Sequence, residues 1–337
     1  MVTVPFYRGW FDLYVYYGTI NDWVRHSGQI YDYLLPGTPY GFTYPPFAAL
    51  CMLPDALVPR GVAVGLAFAL NTAASVYLLR RLVPGWPPVV AVCLFAMLEP
   101  VRDSFSLGQV NLPLLALVLT DLRPHRFSGV GIGLAAAVKL TPALFIGSLL
   151  LTRRRRAAGT ATGVALAATG AGWLLAPGPS RRYWTSALWD TGRVGDPAYV
   201  SNQSLRGVLA RLGDPGHPVL WPLLVLAVLA VWAHRVRRAP DQLTAFALTG
   251  AAACLVSPVT WVHHLVWLLP ALVLARSAVG HVLLCSSLVW LWRFDAPGWP
   301  GVAGVVGFLG ANAYVWFTLW LLLRRYRARP LTPHQTP

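Results

Sequence analysis

Three places in the chain set a reactive side chain in apolar surroundings. Asp12 lies in "GWFDLYVYYGTI", Lys139 in "GLAAAVKLTPALFIG", and His263 and His264 in "SPVTWVHHLVWLLPAL". A carboxylate at an apolar interface is costly unless something pairs with it or uses it. Asp12 therefore reads either as a proton acceptor or as the N-cap of a helix starting at Leu13. The histidine pair opens an apolar helix after a Ser-Pro break. Free N–H groups and the positive end of the helix dipole favour an anion such as a phosphate there; the alternative is imidazoles facing lipid headgroups. Adjacent histidines project in different directions and have no carboxylate at ligand spacing, so no metal site is expected.

Lys139 is the single lysine, every other strongly basic side chain being arginine. An ammonium inside a membrane segment can neutralise a phosphate or snorkel toward the headgroups. Pro142, just beyond it, should loosen the helix locally. Two further stretches, "EPVRDSFSLGQVN" (99–111) and "NQSLRGVLARL" (202–212), combine amide, hydroxyl and guanidinium groups. Such side chains can hold sugar hydroxyls or a lipid phosphate, or can cap helices.

The elements that must position these groups are membrane helices. Of 337 residues, 56% are hydrophobic and 12% charged, about half the charge of an ordinary soluble domain. Runs such as "GVAVGLAFALNTAASVYLL" and "WPLLVLAVLAVWA" approach the ~20 residues that cross a bilayer, where only helices satisfy their own backbone. Fifteen Trp and thirteen Tyr suit interfacial anchoring. The fold class is an all-α polytopic membrane protein with roughly nine to eleven membrane segments.

The net charge of +15 collects in short connectors, "RRRR" (153–156), "RVRR" (235–238) and "RRYRAR" (324–329). That is the positive-inside pattern and a preference for anionic lipid, not a nucleic-acid face. Cys51, Cys93, Cys254 and Cys285 lack CxxC spacing and read as small buried hydrophobes. The opening "MVTVPFYRGW" has no apolar signal-like core, and no internal repeat is visible.

With the arginine clusters cytoplasmic, residues 1–45 form an external loop too polar to span, suited to short interfacial helices. Residues 46–329 form the membrane domain, with 178–217 as a second external loop, and 330–337 a frayed tail. Thr43 is placed to cap the return into the membrane. The path through 46–127 has two parities, but either keeps Asp12, "SPVTWVHH" and "RFDAPGWP" (293–300) on the non-cytoplasmic side.

In chain order, "DLYVYY", "IYDY", "FTYPPFAALCMLP", "GQVNLPLLAL", "AAAVKLTPALF", "NQSLRG" and "SPVTWVHHLVWLLPAL" resemble the polyprenol-phosphate-mannose-dependent α-(1→2)-mannosyltransferases of glycosyltransferase family 87. The resemblance runs from about residue 11 to 275. It implies the GT-C fold and inverting transfer of mannose from a polyprenyl-phosphate donor to a glycolipid or glycan acceptor outside the cytoplasmic membrane. It also implies an aspartate base in the first external loop, the place Asp12 occupies. A phosphate leaving group needs no second carboxylic acid. It needs positive charge or N–H donors, here Lys139, Arg206, His263 and His264. Tyr44, Gln109, Asn111, Asn202 and Gln203 are candidates for sugar or acceptor contacts. No metal or cofactor is implied. The family pattern also places a membrane helix ahead of the "DLxVY" loop, where eleven residues precede Asp12 in this sequence. Another lipid-linked sugar donor, arabinose or glucose, fits the same motifs. A lipid-linked saccharide transporter would instead require inverted-repeat symmetry and paired broken helices.

Overall fold

The computed structural model describes residues 7–213, 219–292 and 301–326. The expected external turn at 293–300, part of the 178–217 loop and the 330–337 tail lie outside the described residues. The described chain is helical, and its extended contact is a single bridge between Leu34 and Gly41.

Three described helices are long and apolar enough to cross a bilayer, Arg60–Leu82, Arg155–Leu175 and Leu220–Arg237. A fourth span is made by Gly304–Ala311 and Ala313–Leu323 together, bent by 62°. The other expected crossings are shorter apolar helices, among them Pro88–Met97, Asn111–Thr120 and Gln242–Val256. The expectation of nine to eleven segments therefore exceeds what length and composition alone support. The difference lies in apolar helices of 10–17 residues, which fall short of that length, and in the break before Pro142 within 128–151. The long helices turn Leu66, Phe68, Leu174, Leu223 and Leu226 outward. Such a belt suits lipid contact rather than water, and this is a membrane protein.

One break sets a key side chain. Pro142 has no N–H for the carbonyl of Val138, and its ring would clash with that carbonyl. The helix Val130–Val138 stops there, and Lys139 follows in extended conformation (φ −147°, ψ 133°) before the short turn Thr141–Ala143. Close packing fixes the same helix laterally. A Cβ on Gly133 would lie 2.6 Å from the carbonyl oxygen of Ala161, so glycine lets this helix sit against Arg155–Leu175.

The segment expected as the first external loop forms one helix, Phe11–Arg25, rather than several short ones. It buries Leu13, Val15, Tyr16, Thr19 and Ile20 along one stripe, as an amphipathic surface helix should. That stripe joins Ile30, Tyr31, Phe42, Tyr44 and Tyr183 in a small aromatic core beside the main helical core. Val110 and Val138 pack against both cores. Each is the sequence neighbour of a polar candidate, Gln109 and Lys139, so the candidate site lies at the seam.

The four cysteines are free. Cys254 is buried as expected, but Cys51 and Cys93 are exposed, on apolar helices whose outer faces a membrane would cover. Thr43 does not cap. The helix Pro46–Cys51 starts on Pro45 without a side-chain cap, its prolines standing where no helix hydrogen bond is lost.

Replacing Gly133 by leucine should force the two helices apart. We expect about 1–3 kcal/mol of lost stability, visible as a lower thermal midpoint of the detergent-solubilised protein, with Gly159→Leu, which meets open space, as the neutral control.

Candidate active site

Asp12 stands in the first turn of its helix, behind Trp10, which occupies the N-cap in left-handed conformation. The helix starts at Phe11, so Asp12 is not the cap. Its side chain turns toward Gln109 instead, whose Nε2 donates to Asp12 Oδ2 at 2.7 Å. Gln109 is held there by the end of the helix Glu99–Leu107. Gly108 terminates that helix at φ 71°, and the Gln109 N–H donates back to Ser104 O at 2.9 Å. A Cβ on Gly108 would sit 2.6 Å from Leu13 Cβ. Glycine both supplies the turn and lets the two helices meet.

The polar chain continues from Gln109. Its Oε1 accepts from Tyr44 OH at 2.8 Å and from Asn111 Nδ2 at 3.4 Å. Asn111 Oδ1 accepts from Lys139 Nζ at 2.9 Å, and Nζ lies 2.9 Å from His264 Nε2. The Lys139 ammonium also stands over the Tyr44 ring, 5.2 Å from its centre. His264 Nδ1 lies 3.2 Å from the Trp261 N–H, at the start of the 3₁₀ segment Val262–Leu268. His263 packs edge-on against His264, and its buried Nε2 has no hydrogen-bond partner among the described residues.

These groups open onto one cavity of about 260 Å³, lined by Asp12, Tyr44, Gln109, Lys139, His263 and His264 among others. Burial raises the Asp12 carboxyl from its ordinary range to about 6. The Gln109 N–H and then the charge of Lys139 oppose that rise, while Asp103 adds to it. A carboxylate so placed is ionised at neutral pH yet basic enough to accept a proton. Among the described residues no group of acids, histidines and cysteines is arranged to hold a metal ion.

Not every residue expected at the site reaches it. Asn111 is buried one hydrogen bond behind the cavity wall, holding Lys139. Asn202 Oδ1 accepts from the Thr260 N–H at 2.9 Å, and Gln203 Nε2 donates to Val200 O and Ala311 O. Both amides are fully buried and tie backbone segments together beneath the histidines. Arg206 stacks over Trp221 and does not line the cavity. Tyr16 and Arg193 are among the lining residues that escaped the sequence reading. Tyr16 sits four residues after Asp12 and thus on the same helix face, a spacing that carried the signal. Arg193, from the turn Thr191–Val194, also lines the cavity, and its Nη2 donates to Tyr31 O at 2.6 Å. An isolated loop arginine gives no such signal.

Two ties anchor the Asp12 helix. The Trp10 N–H donates to Ser106 O at 2.8 Å, and Arg8 pairs with Asp103 through Nε at 3.2 Å. Beside them the buried Glu99 accepts from the Trp290 indole N–H and from Tyr314 OH at 2.5 Å.

Residues 42–258 match the profile of glycosyltransferase family 87. The chain belongs to that family. Over 350 residues it is 32% identical to a polyprenol-phosphate-mannose-dependent α-(1-2)-phosphatidylinositol pentamannoside mannosyltransferase of Mycobacterium tuberculosis (strain CDC 1551 / Oshkosh), covering 90% of this chain and 80% of the relative. A Mycolicibacterium smegmatis protein of the same name is 35% identical, covering 86% of this chain and 75% of its own. A polyprenol-phosphate-mannose-dependent α-(1-2)-phosphatidylinositol mannoside mannosyltransferase of M. tuberculosis strain H37Rv is 38% identical, covering 80% and 68%. No solved structure matches the chain significantly. The family 87 profile begins after Asp12, whereas the cavity it shares with Lys139 and the histidines spans both parts of the chain. The protein is thus a membrane glycosyltransferase.

Removing the Arg8 guanidinium leaves Asp103 buried and unpaired near Glu99. Arg8→Ala is expected to cost about 3 kcal/mol, read as a fall in the thermal midpoint that Arg8→Ala/Asp103→Asn partly restores.

Proposed function

We propose that this family 87 enzyme transfers mannose from a polyprenyl-phosphate donor to a glycolipid acceptor, with inversion and with Asp12 as general base. One observation carries the reading: a half-buried carboxylate of raised proton affinity and a half-buried lysine–histidine group line the same cavity. The names of the relatives supply the donor class and a phosphatidylinositol mannoside as the acceptor class. The fold we assign is GT-C, with residues 1–45 and the cavity on the extracytoplasmic face, as the arginine clusters imply.

Asp12 Oδ2 is taken by Gln109, which leaves Oδ1 to receive the proton of an acceptor hydroxyl. The hydroxyl oxygen forms a bond to the sugar C1 as the bond from C1 to the phosphate oxygen breaks. The proton passes to Asp12 and the electron pair leaves with polyprenyl phosphate. Inversion needs one base on the face opposite the leaving group. The departing phosphate is already a stable anion, so its face needs charge rather than an acid. The Lys139 ammonium supplies it, with neutral His263 and His264 as N–H donors, and Arg193 adds a guanidinium at the cavity wall.

In membranes supplied with radiolabelled polyprenyl-phosphate-mannose, Asp12→Asn should lose about a hundredfold to ten-thousandfold in kcat. Transfer at the unaltered rate, in protein that inserts normally, removes Asp12 from the mechanism. Lys139→Ala should raise the apparent KM for the donor about tenfold and that for the acceptor little. Equal effects on both would leave the lysine a structural role.

A further inference from the structure

Gln109 stands where an acceptor-binding amide is expected, yet its hydrogen bonds are already committed. One Nε2 hydrogen goes to Asp12 Oδ2 at 2.7 Å and the other to Tyr16 OH at 2.9 Å. Tyr16 OH donates to Tyr44 OH at 3.0 Å, and Tyr44 OH donates to Gln109 Oε1 at 2.8 Å. The three side chains close a ring in which each donates to the next. An amide has two donors on nitrogen and an acceptor oxygen with two lone pairs. With Asn111 on that oxygen as well, nothing of Gln109 is left for a sugar.

The partners outside the ring decide which end of the amide meets Asp12. An amide can present either oxygen or nitrogen at nearly the same shape. A flip would reverse the sense of the ring, set the amide oxygen against the Asp12 carboxylate and turn the Nε2 hydrogens on Asn111 Nδ2. Burial keeps both phenols protonated, raising Tyr16 and Tyr44 well above the ordinary phenol range, so each accepts one hydrogen and donates one in the sense that Asp12 and Asn111 set. Gln109 is buried, and the Asn71 side chain secures its backbone carbonyl at 3.0 Å.

We propose that Gln109 is a positioning residue, locked by the Tyr16–Tyr44 pair so that its N–H keeps Asp12 ionised and aimed with Oδ1 toward the acceptor. The inference rests on Asp12 being the base and adds how the base is held. Other charges face Asp12 from the neighbouring elements. Asp103 comes from the helix Glu99–Leu107 and Lys139 from the break before Pro142, while His263, His264, Asp190 and Arg193 share the cavity. None of them replaces an N–H donated directly to the carboxylate.

The test is the pH dependence of kcat in the full-length protein in lipid nanodiscs, with polyprenyl-phosphate-mannose as donor. Gln109→Met keeps the length but has no N–H donor and adds no charge, and Gln109→Leu loses both amide ends. Each should move the acid limb upward by about one pH unit. The loss is then about fivefold near pH 6 and small near about pH 8.5. Tyr44→Phe loosens the amide and should move the limb in the same direction by less. A loss equal at every pH in these variants, with Asp12→Asn inactive, overturns the positioning role and leaves the base in place. Asp12→Asn with unaltered transfer overturns both. Should Gln109→Leu fail to insert, Gln109→Met and Tyr44→Phe decide the matter alone.

Discussion

A carboxylate withdrawn from much of its water must find its stabilisation in the protein, and the Gln109 contact to Asp12 does this here. The contact is short, both partners sit at the seam of two apolar cores, and the amide is held by two phenols. Burial raises the proton affinity of the acid, and one N–H with a distant ammonium keeps the rise to about two pH units above its ordinary value, at about 6. Weaker support would leave a neutral acid, unable to take a proton. Full solvation would leave a poor base. The architecture around the cavity serves to hold that intermediate state.

The same logic explains the positions of the helix breaks. A lysine on an unbroken membrane helix would run its side chain along the helix toward a headgroup. Pro142 ends the helix at Val138 and puts Lys139 in extended backbone, where Asn111 accepts from its ammonium over the Tyr44 ring and beside His264. Gly108 similarly ends one helix and admits Leu13, so Gln109 is delivered beside Asp12. Proline and glycine thus set the two polar side chains that flank the seam, and the helices behind them fix the distances.

The sequence made the membrane class, the helical fold and the central polar residues of the cavity legible. Charge scarcity and long apolar runs give the first two, and reactive side chains in apolar settings mark Asp12, Lys139 and the histidine pair. The sequence did not reveal hydrogen-bond partnership across the fold. Asn202, Gln203 and Arg206 have the right chemistry for a sugar or phosphate, but backbone carbonyls, a backbone N–H and a Trp ring engage them away from the cavity. Gln109 shows the same limit, since composition cannot tell an amide that meets substrate from one that holds a base. Helix continuity was overestimated because a run of apolar residues with one proline still reads as a single span. Arg193 was missed because a loop supplies no periodicity from which to infer its neighbours.

The most direct test is an infrared titration of the Asp12 carboxyl in nanodiscs, with Asp12→Asn as the blank, run beside the transfer rate on the same sample. The account predicts that the protonated-carboxyl band disappears with a midpoint at about 6 and that the rate rises through the same midpoint. A band that titrates in the ordinary carboxylate range near about 4, or a rate indifferent to it, would contradict a buried, amide-held carboxylate acting as the base.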